Sequence, residues 1–221
     1  MIRRRDFIAA AGASGVLAAV SSPLSAASGV SAASESGAAD AVPLDADFDF
    51  SWIEKLTGKH KAVFESLEVA EGAAFFRANM WRNQYKQVYN TDPKDMNAVV
   101  VVRHHGFALA MNDAYWQKYE VAKEFKINDD AGNPLKSNPV GETAKGPNTI
   151  AAFVESGGIV LGCNVAFGAV VSAVRRKENL SREDADKVAR SYLLPGVILQ
   201  PSGVFAALRA QEAGCNYIIA S

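Results

Sequence analysis

The chain is poor in residues that do covalent or metal chemistry: its 221 residues hold two cysteines and three histidines. No CxxC, HExxH or comparable close pair occurs, so the usual zinc signatures are missing and no bound metal is expected. Charge of one sign is also scarce, with a formal net charge of −1. Without Arg3, Arg4, Arg5 and Asp6 near the start, 20 basic residues face 23 acidic ones, net −3. A nucleic-acid-binding surface normally shows as a basic excess or stripe, so no nucleic-acid partner is expected. After the first residues, the tight basic cluster is Arg175, Arg176 and Lys177, at the end of a predicted helix where cations suit the dipole. No internal repeat at solenoid spacing is visible.

The N-terminus, MIRRRDFIAAAGASGVLAAV, has a basic start and a moderately apolar Ala/Gly stretch. Small-residue cleavage options follow from Ala26 to Ala33. Arg4 and Arg5, then Phe7 and Ile8, fit the twin-arginine pattern. The stretch is too weakly apolar for a membrane span and lacks a lipid-anchor cysteine. Residues 1–33 are therefore expected to be a twin-arginine signal peptide, and the protein periplasmic with no membrane anchor after cleavage. Residues 34–58, rich in Ser, Ala and Asp at their start, are read as a linker and N-terminal arm, and 59–221 as one domain.

Within that domain, strand and helix patterns alternate. Strands are predicted at 59–66, 97–102, 159–161, 197–199 and 216–219. Helices are predicted at 71–89, 113–125, 149–156, 165–177, 181–192 and 204–213. The run NAVVVV at 97–102 suits a strand buried on both faces. Repeated β-then-α units with right-handed crossovers predict an α/β fold with a mostly parallel sheet of about five strands. The polar segment 126–148 contains Pro134, Pro139 and Pro147 and is read as a lid over the site, or else as a disordered insertion. Trp81, Tyr85 and Tyr89 recur every four residues on the first long helix, as a core stripe or a subunit contact.

Cys163 stands where the apolar run GGIVLGC meets the following helix. A helix N-terminus carries partial positive charge and unpaired N–H groups, both favourable to a thiolate. Ligand crevices of open α/β sheets lie at the carboxyl ends of strands. Local sequence leaves two readings open, a reactive thiol or a small buried hydrophobe. His104 and His105 follow the valine-rich strand and lie at the same edge. Neighbours in extended chain point to opposite faces, so only one ring is expected to face Cys163. His105, before Gly106, is chosen for proton transfer, and His104 and Asn164 as binding residues. Cys215 begins the last strand at the opposite edge, too far for a disulfide, and is expected to be free, buried and inert.

The strings ESGGIVLGCNVAFGAV and LLPGVILQPSGVFAALRAQEAGCNYI resemble the DsrE/DsrF-like proteins of sulfur metabolism. The shared pattern is a glycine-led strand ending in Cys, a Pro-Gly-Val strand, a P-S-G-V turn, and a helix closing in Q-x-x-G before the last strand. His105 and Gly106 match a His-Gly of many members, and the similarity runs from about Lys59 to Ala220. The resemblance implies a flavodoxin-like three-layer α/β/α fold and assembly into trimers or hexamers. It also implies a cysteine, here Cys163, that carries persulfide sulfur between sulfur donor and acceptor proteins or small sulfur compounds. No cofactor is implied. The export leader and the long 126–148 segment depart from the family core. Two other readings stay open: a non-catalytic protein binding a small ligand or metal, and an oligomeric scaffold.

Overall fold

The computed structural model describes residues 47–221. The expected signal peptide at 1–33, and the arm up to residue 46, lie outside the described residues. Five strands form one parallel sheet: β1 (His60–Ser66), β2 (Met96–Val102), β3 (Ile159–Cys163), β4 (Val197–Gln200) and β5 (Asn216–Ile219). Their order across the sheet is β4-β3-β2-β1-β5. The chain thus steps one way from β1 to β4, then crosses back to place β5 beside β1. Right-handed crossovers put helices of the first three steps on one face and that of the return step on the other. The result is the flavodoxin-like three-layer α/β/α sandwich expected from the sequence.

The two faces sort by residue parity, as pleating requires. Ala62, Phe64, Ala98, Val100, Val102 and Val160 pack into the larger core, under α1 (Ala73–Tyr89), α4 (Ile150–Glu155) and α5 (Asn164–Glu178). Val63, Val99, Val101, Ile159 and Leu161 face the smaller core, under α7 (Gly203–Glu212). α6 (Arg182–Ser191) packs on α5 and is capped by Ser181, whose hydroxyl accepts from Asp184 N–H. This is the cap that the Ser181/Asp184 spacing signals.

Three expectations change on contact with the structure. The helix predicted at 113–125 is two short ones, α2 (Asp113–Lys118) and α3 (Val121–Glu124), because Glu120 takes a left-handed φ of 51°. Within the arm assigned to 34–58, Trp52 is fully buried in the smaller core, in a 3-10 turn at Ser51–Lys55. The Phe50 ring packs at a tilt against Phe205 of α7, with centroids 5.7 Å apart. The packed domain therefore begins before residue 59. The aromatic stripe on α1 is graded: Trp81 packs on the core beside Phe64, Tyr85 is half-buried, and Tyr89 is exposed. Among the described residues, no helix is long and apolar enough to cross a membrane.

Candidate functional site at the carboxyl edge of the sheet

β3 ends in Cys163, and α5 begins at the next residue, so Cys163 is the N-cap of a 15-residue helix. Its backbone is extended (φ −73°, ψ 114°) and its side chain offers no capping bond, leaving the sulfur uncommitted to the helix end. Cys163 is 6% exposed, yet it lines a cavity of about 630 Å³. The cavity wall includes Arg103, His104 and His105 after β2, Phe125 after α3, Arg176 on α5, and Ser202 and Gly203 before and at the start of α7. Phe107, Tyr115, Val121 and Val170 give it an apolar side. A volume of this size, apolar with a few converging polar groups, is typical of small-molecule sites.

Both histidines line this cavity, where only one ring was expected to face Cys163. The expectation assumed extended chain. Instead His104 takes a left-handed φ of 52° and opens a 3-10 turn at His104–Ala110. The two rings come to lie 4.0 Å apart, centroid to centroid. Such a conformation costs a non-glycine residue on the order of 1 kcal/mol. His105 Nδ1 lies 3.0 Å from Glu68 Oε2 and its ring is 4.8 Å from that of Phe125. Gly106 lets this turn sit against β1: an added Cβ would meet the Ser66 carbonyl oxygen at 2.4 Å.

Arg103 is the site residue that sequence reasoning passed over. Its Nε donates to Glu65 Oε1 at 2.5 Å and its Nη2 to Oε2 at 3.3 Å, while the Tyr217 hydroxyl donates to the same carboxylate. The hydrogen bond to Glu65 raises the Arg103 pKa further above its ordinary value, and Cys163 is among the weaker contributors. Arg103 and Cys163 line the same cavity, which brings a guanidinium and the thiol to one space. α7 must begin in glycine here, because a Cβ on Gly203 would lie 2.5 Å from Arg103 Cδ. The only hint in sequence is an acid that follows the apolar run of the first strand, Glu65 in AVFES, which calls for a cationic partner if buried.

Other expected roles divide. Asn164 is buried beside Cys163 but does not line the cavity, and its Oδ1 has no partner among the described residues. The 126–148 segment does not line it either. It is tied down by Asn138, whose Nδ2 donates to the carbonyls of Leu109 and Met111 at 2.7 Å each. Asp113 accepts from the backbone N–H groups of Asn138 and Thr143. The lid reading is thus replaced by a fixed strap. Cys163 and Cys215 are both free and buried. Burial pushes the Cys215 thiol up to about 11, consistent with an inert group.

Fold and site define a parallel α/β sandwich with a thiol, two imidazoles and an arginine around one cavity at the strands' carboxyl ends. No family model and no curated protein matches the chain. Among solved structures, it is similar to a protein of unknown function from Methanobacterium thermoautotrophicum. The identity is 17% over 72% of this chain and 98% of that one, with a TM-score of 0.37.

Proposed function

We propose that the chain is an exported DsrE-like sulfur carrier in which Cys163 holds sulfane sulfur as a persulfide. The observation that carries this reading is the position of Cys163: a helix N-cap thiol that reaches a cavity shared with Arg103, His104 and His105. The α5 N-terminus and the Arg103 guanidinium supply positive potential where a thiolate carries its charge.

The transfer balances without an oxidant. The Cys163 thiolate attacks the outer sulfur of a donor persulfide, R–S–SH. The donor S–S bond breaks, Cys163–S–SH forms, and R–S⁻ leaves to take up a proton. His105, with Glu68 holding its ring, is the proposed proton carrier for the leaving thiolate. The near-complete cover of Cys163 favours a small sulfur compound or a donor group that enters the cavity.

Incubation with inorganic polysulfide followed by intact mass spectrometry tests the proposal. The wild-type chain is expected to gain the mass of one sulfur atom, Cys163→Ser none, and Cys215→Ser the same as wild type. A wild-type chain that takes up no sulfur would overturn the reading. The cavity's apolar wall of Phe107, Tyr115, Val121 and Phe125 favours a second reading, a binding protein for a small apolar ligand. That reading predicts a ligand-dependent rise in melting temperature that Cys163→Ser leaves intact.

A further inference from the structure

Glu68, His104 and His105 hold three donor atoms within 4.8 Å of one another. We propose that they bind a divalent cation of the zinc or copper class at the rim of the Cys163 cavity. Zinc bonds to imidazole nitrogen and carboxylate oxygen at about 2.0–2.2 Å, so neighbouring donors around a tetrahedral ion stand about 3.3 Å apart. His104 Nδ1 lies 3.5 Å from Glu68 Oε1, and His105 Nδ1 lies 3.0 Å from Glu68 Oε2. Each ring meets a different oxygen of the one carboxylate, and with one donor atom taken from each residue the three lie within 4.8 Å of one another. All three side chains are half-exposed, which leaves them room to rotate onto a common ion.

Adjacent histidines in extended chain diverge and cannot share an ion. The left-handed turn at His104 removes that obstacle, and its cost is of the kind found at ligand clamps. Two imidazoles and one carboxylate suit zinc or copper, whereas magnesium and calcium require oxygen ligands throughout. Three protein ligands leave a fourth position open, as in reactive rather than purely structural sites. Because both histidines line the cavity, its occupant can complete the shell. One carboxylate and two neutral rings leave a divalent ion with net positive charge. Arg103 and Arg176 line the same cavity, so an anion such as a thiolate or hydrosulfide is the fitting fourth ligand. Cys163 does not belong to the close group, so the ion does not depend on it.

Isothermal titration of the purified chain with zinc chloride, and separately with copper(II), tests this. One ion per chain is expected. His104→Ala, His105→Ala and Glu68→Gln should each weaken binding by about tenfold or more, and the double histidine variant should abolish it. The three side chains are 48–57% exposed, so these variants are expected to fold, and metal-free melting curves check that. Cys163→Ser and His60→Ala should bind as wild type, since His60 opens β1 at the opposite edge of the sheet. No binding by wild type, unchanged binding by the double variant, or loss of binding in Cys163→Ser alone would each overturn the proposal. Persistence of binding in Cys163→Ser also separates this site from the sulfur-carrying role.

Discussion

Cys163 and Cys215 show how one residue type is given two fates by its place on a parallel sheet. Cys163 ends β3 and reaches a cavity, while Cys215 precedes β5 at the opposite edge and packs into the smaller core. The pH dependence of stability reports the second thiol. Burial raises Cys215 from an ordinary value of 9.0 to about 11. Burial, then the hydrogen bond to Glu65, raises Tyr217 from 10.0 to about 12. Both groups are neutral in the fold and ionise more readily once unfolded. Their contribution is therefore complete below pH 9.0 and is lost as pH rises through about 11 and about 12. Denaturant melts should weaken steadily above pH 9.0, and Cys215→Ala should flatten the first part of that decline. An identical alkaline slope in the variant would contradict the assignment. At this scale the sequence was informative where chemistry depends on a strand end or helix start, as at Cys163 and His105. Beyond the acid Glu65 in an apolar run, it held no sign of the Arg103–Glu65–Tyr217 network, which joins β1, the end of β2 and β5. No local spacing encodes a contact across three strands.

Among the elements, the strap at 126–148 differs most from its sequence reading. Prolines and polar residues looked like a mobile lid, but Asn138 is completely buried and serves two carbonyls of the turn after the histidines. Its own Oδ1 accepts from Val140 N–H. Replacing it with Ala leaves buried acceptors unpaired, at about 1–3 kcal/mol for each unsatisfied group. Asn138→Ala should therefore lower the denaturation midpoint clearly and loosen the strap, visible as faster backbone hydrogen exchange at Leu109–Met111. A midpoint equal to wild type would restore the view of a dispensable insertion. Strands and long helices were legible because their periodicity is local: the valine run of β2 and the capping Ser181 needed no tertiary knowledge. The break at Glu120 and the left-handed turn at His104 were not legible, since neither position carries the glycine that usually marks positive φ.

At the scale of the whole molecule, one sheet edge is left uncovered among the described residues. β5 is an edge strand whose residues Asn216–Ile219 are all exposed, Ile218 and Ile219 among them. The helices that flank it expose Phe76 and Met80 on α1, and Val204 and Leu208 on α7, each pair four residues apart. Natural edges are usually blunted by charge or covered. These residues make the β5 side, rather than the graded Trp81–Tyr85–Tyr89 stripe, the exposed apolar surface open to the homo-oligomer that the sequence resemblance implies. Ile219→Lys with Leu208→Lys should shift the chain to monomer in light scattering after size exclusion while its circular dichroism is kept. An unchanged mass, or a monomeric wild type, would contradict this.

Sulfur carriage by this molecule requires that sulfur reach Cys163. Peptide mapping after exposure to a small-molecule persulfide should find one added sulfur on the Cys163 peptide and none on the Cys215 peptide. A thiol acceptor should then remove it. Sulfur on both cysteines alike, or on neither, would contradict the account.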